Sequence, residues 1–311
     1  MNMNFNNPYQ SYSNQNIWEG IKNSFKQGSH LTKLIYINLS VYLLILVLRI
    51  LTLLTKSNLE DLVTNLLMVP ADPANIITQP WSVFTYMFLH TDFLHILMNM
   101  LWFFWFGKIF LTYLDQKKLL SVYLIGGLTG AAVYIFAYNL FPALQDVKHI
   151  SYALGASASV MAVVFAVVSY APNHNIHLMF LGPVKIKFVA LFFIVTDLLY
   201  LSENVNIGGH IAHLGGAFYG WLFISQLRKG KDISGGFNSI MDSFFNLFRR
   251  EKKMKVSYKN TRNMTDEQYN KSKQVNQDEL NRILEKIAKS GYDSLSKTEK
   301  EILFKSSNQN K

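Results

Sequence analysis

Four polar side chains that could hydrolyse a peptide bond lie within apolar stretches of the sequence: His95, Asn99, Ser157 and His213. A serine hydroxyl becomes a good nucleophile when an imidazole removes its proton, and the same imidazole can then protonate the leaving amine. Ser157 and His213 supply this pair. The tetrahedral intermediate carries a negative charge that needs hydrogen-bond donors. His95 and Asn99 are four residues apart, hence on one helical face, and could supply two donors.

The composition narrows the chemistry and favours a membrane protein. The chain contains no cysteine, which excludes disulfides, thiolate metal sites and a cysteine nucleophile. Half of its 311 residues are hydrophobic and only 16% are charged, which is low for a soluble protein of this size. Most of the formal charge of +10 lies in the tail from Arg228 onward, where a cytoplasmic location and anionic lipid account for it. Nucleic-acid binding is therefore not predicted.

Apolar segments predict an all-α polytopic membrane protein whose six helices form one bundle. A helix of ~20 apolar residues crosses ~30 Å of hydrocarbon. The predicted spans are residues 34–54, 93–113, 119–141, 154–170, 186–201 and 208–227. Lysine and arginine concentrate at alternate connections and in the tail, which predicts that both termini are cytoplasmic. The second, fourth and sixth spans then start on the opposite side, and this brings the four polar residues to a similar depth.

The chain divides into four predicted parts. Residues 1–33 form a polar cytoplasmic segment without a cleaved signal peptide, and residues 34–227 form the membrane domain. Residues 228–277 hold an interfacial amphipathic helix and a basic linker, and residues 278–305 form a small cytosolic helical hairpin. The connection at 55–92 is too long to be structureless, so we expect short helices there. The amphipathic helix is predicted from the spacing of Phe237, Ile240, Met241, Phe244, Phe245 and Phe248.

Small residues predict close contact between the helices that carry the serine and the histidine. Gly216 and Gly220 form a G-x-x-x-G face one turn beyond His213, and Gly155 and Ala158 keep the serine helix slim. Backbones that approach closely allow a direct hydrogen bond between a serine and a histidine from different helices. No acidic residue is needed to assemble such a dyad.

The motifs together resemble the rhomboid intramembrane serine proteases over residues 34–227. The matching patterns are G-x-S-x at Gly155–Ala158, A-H-x-x-G-x-x-x-G at Ala212–Gly220 and H-x-x-x-N at His95–Asn99, with Trp81 and His90 in the long first connection. The resemblance implies that Ser157 is the nucleophile, that His213 is the general base and acid, and that His95 and Asn99 stabilise the oxyanion. It also implies transmembrane protein substrates within the lipid bilayer, and neither a metal nor a cofactor.

Two positions depart from the family pattern. Many members have arginine where this chain has Ser82, which affects anchoring of the first connection, and many have tyrosine where it has Met161. Met161 removes an aromatic ring from beneath His213, although a thioether can also contact an imidazole. Other polar residues are given plainer roles: Ser159 packs, Asp197 makes a structural hydrogen bond towards the bundle, and His210 competes with His213 as the base.

Three functions follow as hypotheses. The first is an active serine endopeptidase of the bilayer, expected in a bacterial inner membrane. The second is a catalytically silent relative that binds transmembrane helices as an adaptor, favoured by the departures at Ser82 and Met161. The third is a small transporter or channel lined by His95, Asn99 and Asp197, against which stands the lack of an inverted repeat. The C-terminal hairpin either recruits a cytosolic partner or stabilises the protein.

Overall fold

The computed structural model of the protein describes residues 28–178, 182–248 and 265–309, together with residues 22, 24 and 25. The chain forms two compact units, residues 1–249 and residues 250–311. The helices of the first unit are α1 (His30–Thr55), α2 (Leu59–Leu67), α3 (Pro73–Thr78), α4 (Ser82–Thr85), α5 (Phe93–Tyr113), α6 (Gln116–Leu140), α7 (Pro142–Gln145), α8 (Ser157–Tyr170), α9 (Ile186–Ser202), α10 (Ile207–Arg228) and α11 (Gly235–Phe248). Those of the second unit are α12 (Asp266–Ser290) and α13 (Lys297–Gln309).

Short strands and 3-10 turns lie in the connections between helices. Strands β1 (Val69–Pro70) and β2 (Tyr152–Ala153) pair antiparallel, as do β3 (Asn175–Leu178) and β4 (Gly182–Lys185). Single 3-10 turns occupy Tyr86–Phe88, Lys148–Ile150 and Tyr292–Ser294. The β1–β2 pair matters for the site, because it joins the first connection to the segment that precedes Ser157.

A helix occupies each of the six segments in which the sequence predicts a span. Among the described helices, α1, α5 and α6 are long and apolar enough to cross a membrane, and α8 is a shorter apolar helix. The protein is therefore an integral membrane protein. Membrane crossing by the other three helices stays a prediction. Helix α8 begins at Ser157 and not at residue 154, because Gly155 has a backbone φ of +115° and cannot continue a helix.

Helix α8 lies at the centre of the bundle, between α5, α6 and α10. Its residues from Ala158 to Val164 are all buried, as are Ala166 and Val167. Helices α8 and α10 come close because the glycines at their contact have no side chain. A Cβ added to Gly216 would lie 2.0 Å from the carbonyl oxygen of Ala158, and one added to Gly220 would lie 2.1 Å from that of Ala162. The close approach predicted from G-x-x-x-G is confirmed.

Helix α1 packs on the outside of this centre. The Leu31 side chain fills the space above Gly107 of α5, and the Asn38 amide donates to the Tyr123 hydroxyl of α6 at 3.0 Å. The outward side of α1 exposes large apolar residues, including Leu43, Leu53 and Leu54. Such a surface suits contact with lipid and would be unfavourable in water.

The first long connection is folded into helices α2, α3 and α4, as the sequence predicts. Its anchoring is local. The Trp81 indole donates to the carbonyl of Leu66 at 2.8 Å, and the Thr85 hydroxyl donates to that of Leu67 at 3.0 Å. The hydroxyl of Ser82, where many relatives have arginine, is buried and has no hydrogen-bond partner among the described residues. The bonds of Trp81 and Thr85 therefore hold α4 against the end of α2.

Two predicted segments fall partly outside the description. Helix α11 coincides with the predicted amphipathic helix, but the side chains of Ile240, Phe244, Phe245 and Phe248 and the linker at 249–264 lie outside the described residues. Most of the predicted N-terminal segment, residues 1–21, 23, 26 and 27, lies outside them as well.

The second unit is a pair of helices joined by a tight turn. Helix α12 begins at Asp266, well before the predicted start at residue 278. The prediction is late because the first half of the helix is polar and gives no apolar signal. Ile283 and Leu295 are buried between the helices. Ser296 and Glu299 cap α13 reciprocally, since each side chain accepts the backbone N–H of the other. Lys286 of α12 donates to both Glu299 oxygens, and with the Ser296 N–H it lowers the pKa of Glu299 to about 2.

Candidate active site

A cavity of about 530 Å³ opens where α5, α8 and α10 begin and where α9 nears its end. Its lining contains all four predicted site residues, His95, Asn99, Ser157 and His213. The lining also contains Asp197 and His210, to which the sequence assigned other roles. The tertiary fold thus collects six polar side chains from four helices into one cavity.

Ser157 is the first residue of α8 and is half-buried at the cavity wall. The turn before it is held by the first connection. The N–H of Gly155 donates to the carbonyl of Tyr86 at 2.9 Å, and the N–H of Ala156 donates to Nε2 of His90 at 3.2 Å. Tyr86 is fixed in turn, because its hydroxyl donates to the carbonyl of Gly127 at 2.6 Å. The position of Ser157 therefore depends on residues far away in the sequence.

His95 and Asn99 lie one turn apart on α5, facing the serine segment. Asp92 caps this helix by accepting the backbone N–H of His95 at 2.9 Å. The His95 ring lies directly against Gly155, where an added Cβ would be 2.7 Å from Cε1 of the ring. The Asn99 amide nitrogen donates to the His95 carbonyl at 2.9 Å. One of its two hydrogens remains for an oxyanion.

His213 makes a hydrogen bond that the sequence did not predict. Its Nδ1 lies 2.9 Å from Oδ1 of Asp197, and Nδ1 of His210 lies 2.7 Å from the same oxygen. An ionised carboxylate only accepts hydrogen bonds, so each imidazole donates from Nδ1. In the neutral imidazole, the Nε2 atom of His213 then carries the lone pair and can act as a base. Asp197 does face the bundle, as expected, but it binds the predicted base itself.

His210 is held on a second side by an aromatic ring. Tyr200 stacks on it with ring centroids 5.1 Å apart and an interplanar angle of 13°. Met161, which stands where many relatives have tyrosine, is buried and lines the same cavity as His213. Ser159 is buried as well, and its hydroxyl lies 3.9 Å from the sulfur of Met87. Ser159 therefore contacts the first connection and is not part of the cavity lining, and its role in packing stays a prediction.

Three residues of types found at zinc sites, one aspartate and two histidines, meet here. The side-chain donor atoms of Asp197, His210 and His213 all lie within 4.8 Å of one another. The same distances fit a carboxylate that accepts one N–H hydrogen bond from each imidazole. Each Nδ1 atom then has a hydrogen-bond partner without an ion. The expectation that the protein uses neither a metal nor a cofactor stays a prediction.

Sequence reasoning did not assign three supporting residues to the site, for different reasons. Tyr86 and His90 act through backbone groups of the serine turn, and no local pattern signals such long-range bonds. Asp197 did carry a signal, because an ionisable residue in an apolar helix is costly unless it has a partner. The sequence did not show which residue is the hydrogen-bond partner of Asp197.

The fold and the cavity define a helical integral membrane protein with a polar site between its helices. Residues 78–229 match the family model described as the rhomboid domain, and residues 264–309 match a family of unknown function. A similar protein is the RHOMBOID-like protein 12, mitochondrial, of Arabidopsis thaliana, 30% identical over 159 residues, which cover 48% of this chain and 47% of that protein. The chain thus spans about half the length of this curated relative. The matched segment, residues 78–229, thus carries the rhomboid domain that its motifs predict.

Proposed function

We propose that this protein is an intramembrane serine endopeptidase that hydrolyses peptide bonds in or near transmembrane segments of other membrane proteins. The observation that carries the proposal is the convergence of Ser157, His213, His95 and Asn99 on one cavity. The rhomboid domain supports the same reaction, because the rhomboid family includes intramembrane serine proteases.

The proposed reaction begins with attack by the Ser157 hydroxyl on the scissile carbonyl. Nε2 of His213 takes the hydroxyl proton and then delivers it to the leaving amine as the C–N bond breaks. His95, the free hydrogen of Asn99 and the backbone N–H of Ser157 are the donors for the oxyanion. A water molecule, deprotonated by the same imidazole, then releases the acyl group. No step requires a group from outside the chain except the substrate and water.

The side of the cavity between α5 and α9 is the proposed entrance for a substrate segment. Trp102 of α5 and Phe193 of α9 both line the cavity, and their rings meet edge to face with centroids 5.0 Å apart. Helix α9 makes its main contacts with α10 and α8, and α5 meets it through few residues. Separation of these two rings would admit an unwound polypeptide from the bilayer without disturbing the glycine-packed centre.

The nucleophile is tested by comparing two serines of one helix. A fluorophosphonate probe should label the wild-type protein and the Ser159→Ala variant but not the Ser157→Ala variant. Cleavage of a single-pass membrane substrate by the purified protein in detergent should follow the same order. Loss of a catalytic serine lowers kcat about 10⁶-fold in a soluble serine protease. Equal labelling or equal cleavage by wild type and Ser157→Ala would refute the proposal.

The adaptor hypothesis stays as the second candidate, since the chain departs from the family pattern at Ser82 and Met161. An adaptor would bind transmembrane helices at the same entrance between α5 and α9 without cleaving them. Binding of a single-pass protein that is equal in wild type and Ser157→Ala, with no cleavage by either, would favour it. The placement in a bacterial inner membrane with both termini cytoplasmic is also a proposal, and so is a cytosolic partner for the C-terminal unit.

A further inference from the structure

Asp197 is a buried carboxylate in the middle of an apolar helix. Its side chain is 6% exposed, and its Oδ1 atom accepts from His210 at 2.7 Å and from His213 at 2.9 Å. Its Oδ2 atom is buried without a hydrogen-bond partner among the described residues. A carboxylate with so little hydration is unfavourable unless it is strongly hydrogen-bonded. The two imidazoles are the described groups that compensate its burial.

The direction of these bonds determines which tautomer neutral His213 adopts. Because Asp197 accepts at Oδ1, the proton of neutral His213 resides on Nδ1, and the lone pair resides on Nε2. Without such a partner the two tautomers compete, and the Nε2–H form cannot take a proton from a serine. The bond also restrains rotation of the ring, which lines the cavity.

We propose that Asp197 is a positioning residue for His213, so that hydrolysis uses a Ser157–His213–Asp197 triad and not the serine–histidine dyad expected from the sequence. This inference rests on the proposed endopeptidase function. During attack the Ser157 proton moves to Nε2 of His213, and the resulting imidazolium lies beside the Asp197 carboxylate. Asp197 remains ionised throughout, and the proton leaves with the amine when the C–N bond breaks.

His210 is the second donor to the same carboxylate and has a different role. Its bond at 2.7 Å and its stacking on Tyr200 hold the Asp197 carboxylate in one orientation. His210 precedes His213 by nearly one helical turn, so both rings reach Asp197 from the same face of α10. His210 therefore supports the triad by orienting Asp197, and His213 is the base.

Substitution of Asp197 by asparagine tests the triad. The amide removes the charge beside the imidazolium and can stabilise the wrong tautomer by donating to Nδ1. In a soluble serine protease the equivalent change lowers kcat by about 10⁴-fold. We expect kcat to fall by about 10²- to 10⁴-fold on a single-pass substrate in detergent, with KM changed less than about threefold. Asp197→Glu should recover part of the lost kcat, because it restores the carboxylate.

A matched control exists outside the cavity. Asp72 is also a poorly exposed carboxylate paired with an imidazole, that of His149, and the Ala74 N–H and this imidazole lower its pKa. Asparagine is a good helix cap as well, so Asp72→Asn should keep the cap of α3 and the wild-type kcat. His210→Gln should lower kcat less than tenfold, because the Asp197–His213 bond remains. A larger loss in His210→Gln than in Asp197→Asn would overturn the assigned roles.

Further outcomes separate this inference from the proposed function. If wild type does not cleave and is not labelled at Ser157, the endopeptidase proposal fails. If wild type cleaves and Asp197→Asn retains its kcat, only the triad is overturned. A wild-type protein whose cleavage is abolished by a metal chelator would also overturn the triad, since the cluster would then bind an ion.

A measurement on the wild-type protein covers the case in which Asp197 variants do not fold. Nitrogen NMR of ¹⁵N-histidine-labelled protein reports the tautomer of each neutral imidazole. The His213 signals are assigned by their absence from His213→Gln. We expect the Nδ1–H tautomer for His213. An Nε2–H tautomer would be incompatible with a bond donated to Asp197 and would overturn the proposal.

Discussion

At the scale of single residues, the serine end of the site is held by backbone hydrogen bonds and by close packing. Gly155 adopts a positive φ that other residues rarely tolerate, and the His95 ring occupies the space where its side chain would lie. The His90 imidazole accepts the next backbone N–H, that of Ala156. The His90 ring lies edge-on to the His95 ring, with centroids 5.1 Å apart. These contacts fix His95 close to the serine before any substrate arrives.

The oxyanion donors are tested at this scale. Removing one donor from such a site typically lowers kcat by about 10²- to 10³-fold. We expect a loss of this size in His95→Ala and in Asn99→Ala, with little change in KM, because the donors act mainly on the charged intermediate. Initial rates on a single-pass substrate give both constants.

His174 provides the control for His95. It lies beyond the far end of α8 and bonds the Tyr113 hydroxyl at 2.8 Å. His174→Ala should therefore keep the wild-type kcat. Wild-type kcat in both His95→Ala and Asn99→Ala would exclude these residues from oxyanion stabilisation.

At the scale of elements, the contact between α8 and α10 sets the distance between the nucleophile and the base. Ser157 and His213 stand on different helices, and the adjoining turns contact each other backbone to backbone at Gly216 and Gly220. Small residues at such a contact are the usual means by which membrane helices approach closely. A change of one methyl group at this contact should therefore alter the site without touching a catalytic side chain.

Gly216→Ala tests the role of the helix contact. The new Cβ would meet the Ala158 carbonyl oxygen at 2.0 Å, so the two helices must move apart. Overpacking of this kind costs typically about 1–3 kcal/mol in stability. We expect a lower thermal unfolding temperature in detergent and a loss of cleavage greater than tenfold.

Gly236→Ala is the matched control, because no atom of the described residues lies within 4 Å of a Cβ added at this helical position. Alanine is favoured over glycine inside a helix by roughly 0.5–1 kcal/mol, so this variant should be as stable as wild type or slightly more so. Equal unfolding temperatures and equal cleavage for Gly216→Ala and Gly236→Ala would show that the close contact does not set the site geometry.

At the scale of the whole molecule, the chain combines a membrane domain that contains the entire candidate site with a separate polar pair of helices. The six candidate site residues all belong to the first unit, and the second unit has its own core, cap and ion pair. The cavity lies at the end of the bundle from which α5, α8 and α10 start. In the predicted topology this end faces away from the cytoplasm.

The absence of cysteine makes this topology directly measurable. Single cysteines at the exposed positions Lys56 and Asp146 would report on the cavity end, and those at Asn173 and Lys231 on the opposite end. A membrane-impermeant maleimide applied to intact cells should label the first two positions and not the second two, as the lysine and arginine distribution predicts. Lysed cells should show labelling at all four. Labelling of Asn173 and Lys231 in intact cells would reverse the predicted orientation.

The sequence by itself determined the helical segments, the glycine contact and the four candidate catalytic residues. The length of an apolar segment predicts a membrane helix, and G-x-x-x-G predicts a close helix contact. The combination of the serine, histidine and asparagine motifs indicates the candidate site, although each residue alone also has a plain structural explanation. The family was identified on the same residues. These features are local in the chain, so a linear pattern can reveal them.

Only the tertiary structure decided which polar groups bond to each other. The Asp197 carboxylate and the His213 imidazole lie on different helices, and their bond depends on how α9 and α10 rotate and tilt against each other. The same holds for Ala156 and His90, which are 66 residues apart. A hydrogen bond is made or lost over about half an ångström, and that precision comes from the packing of whole helices.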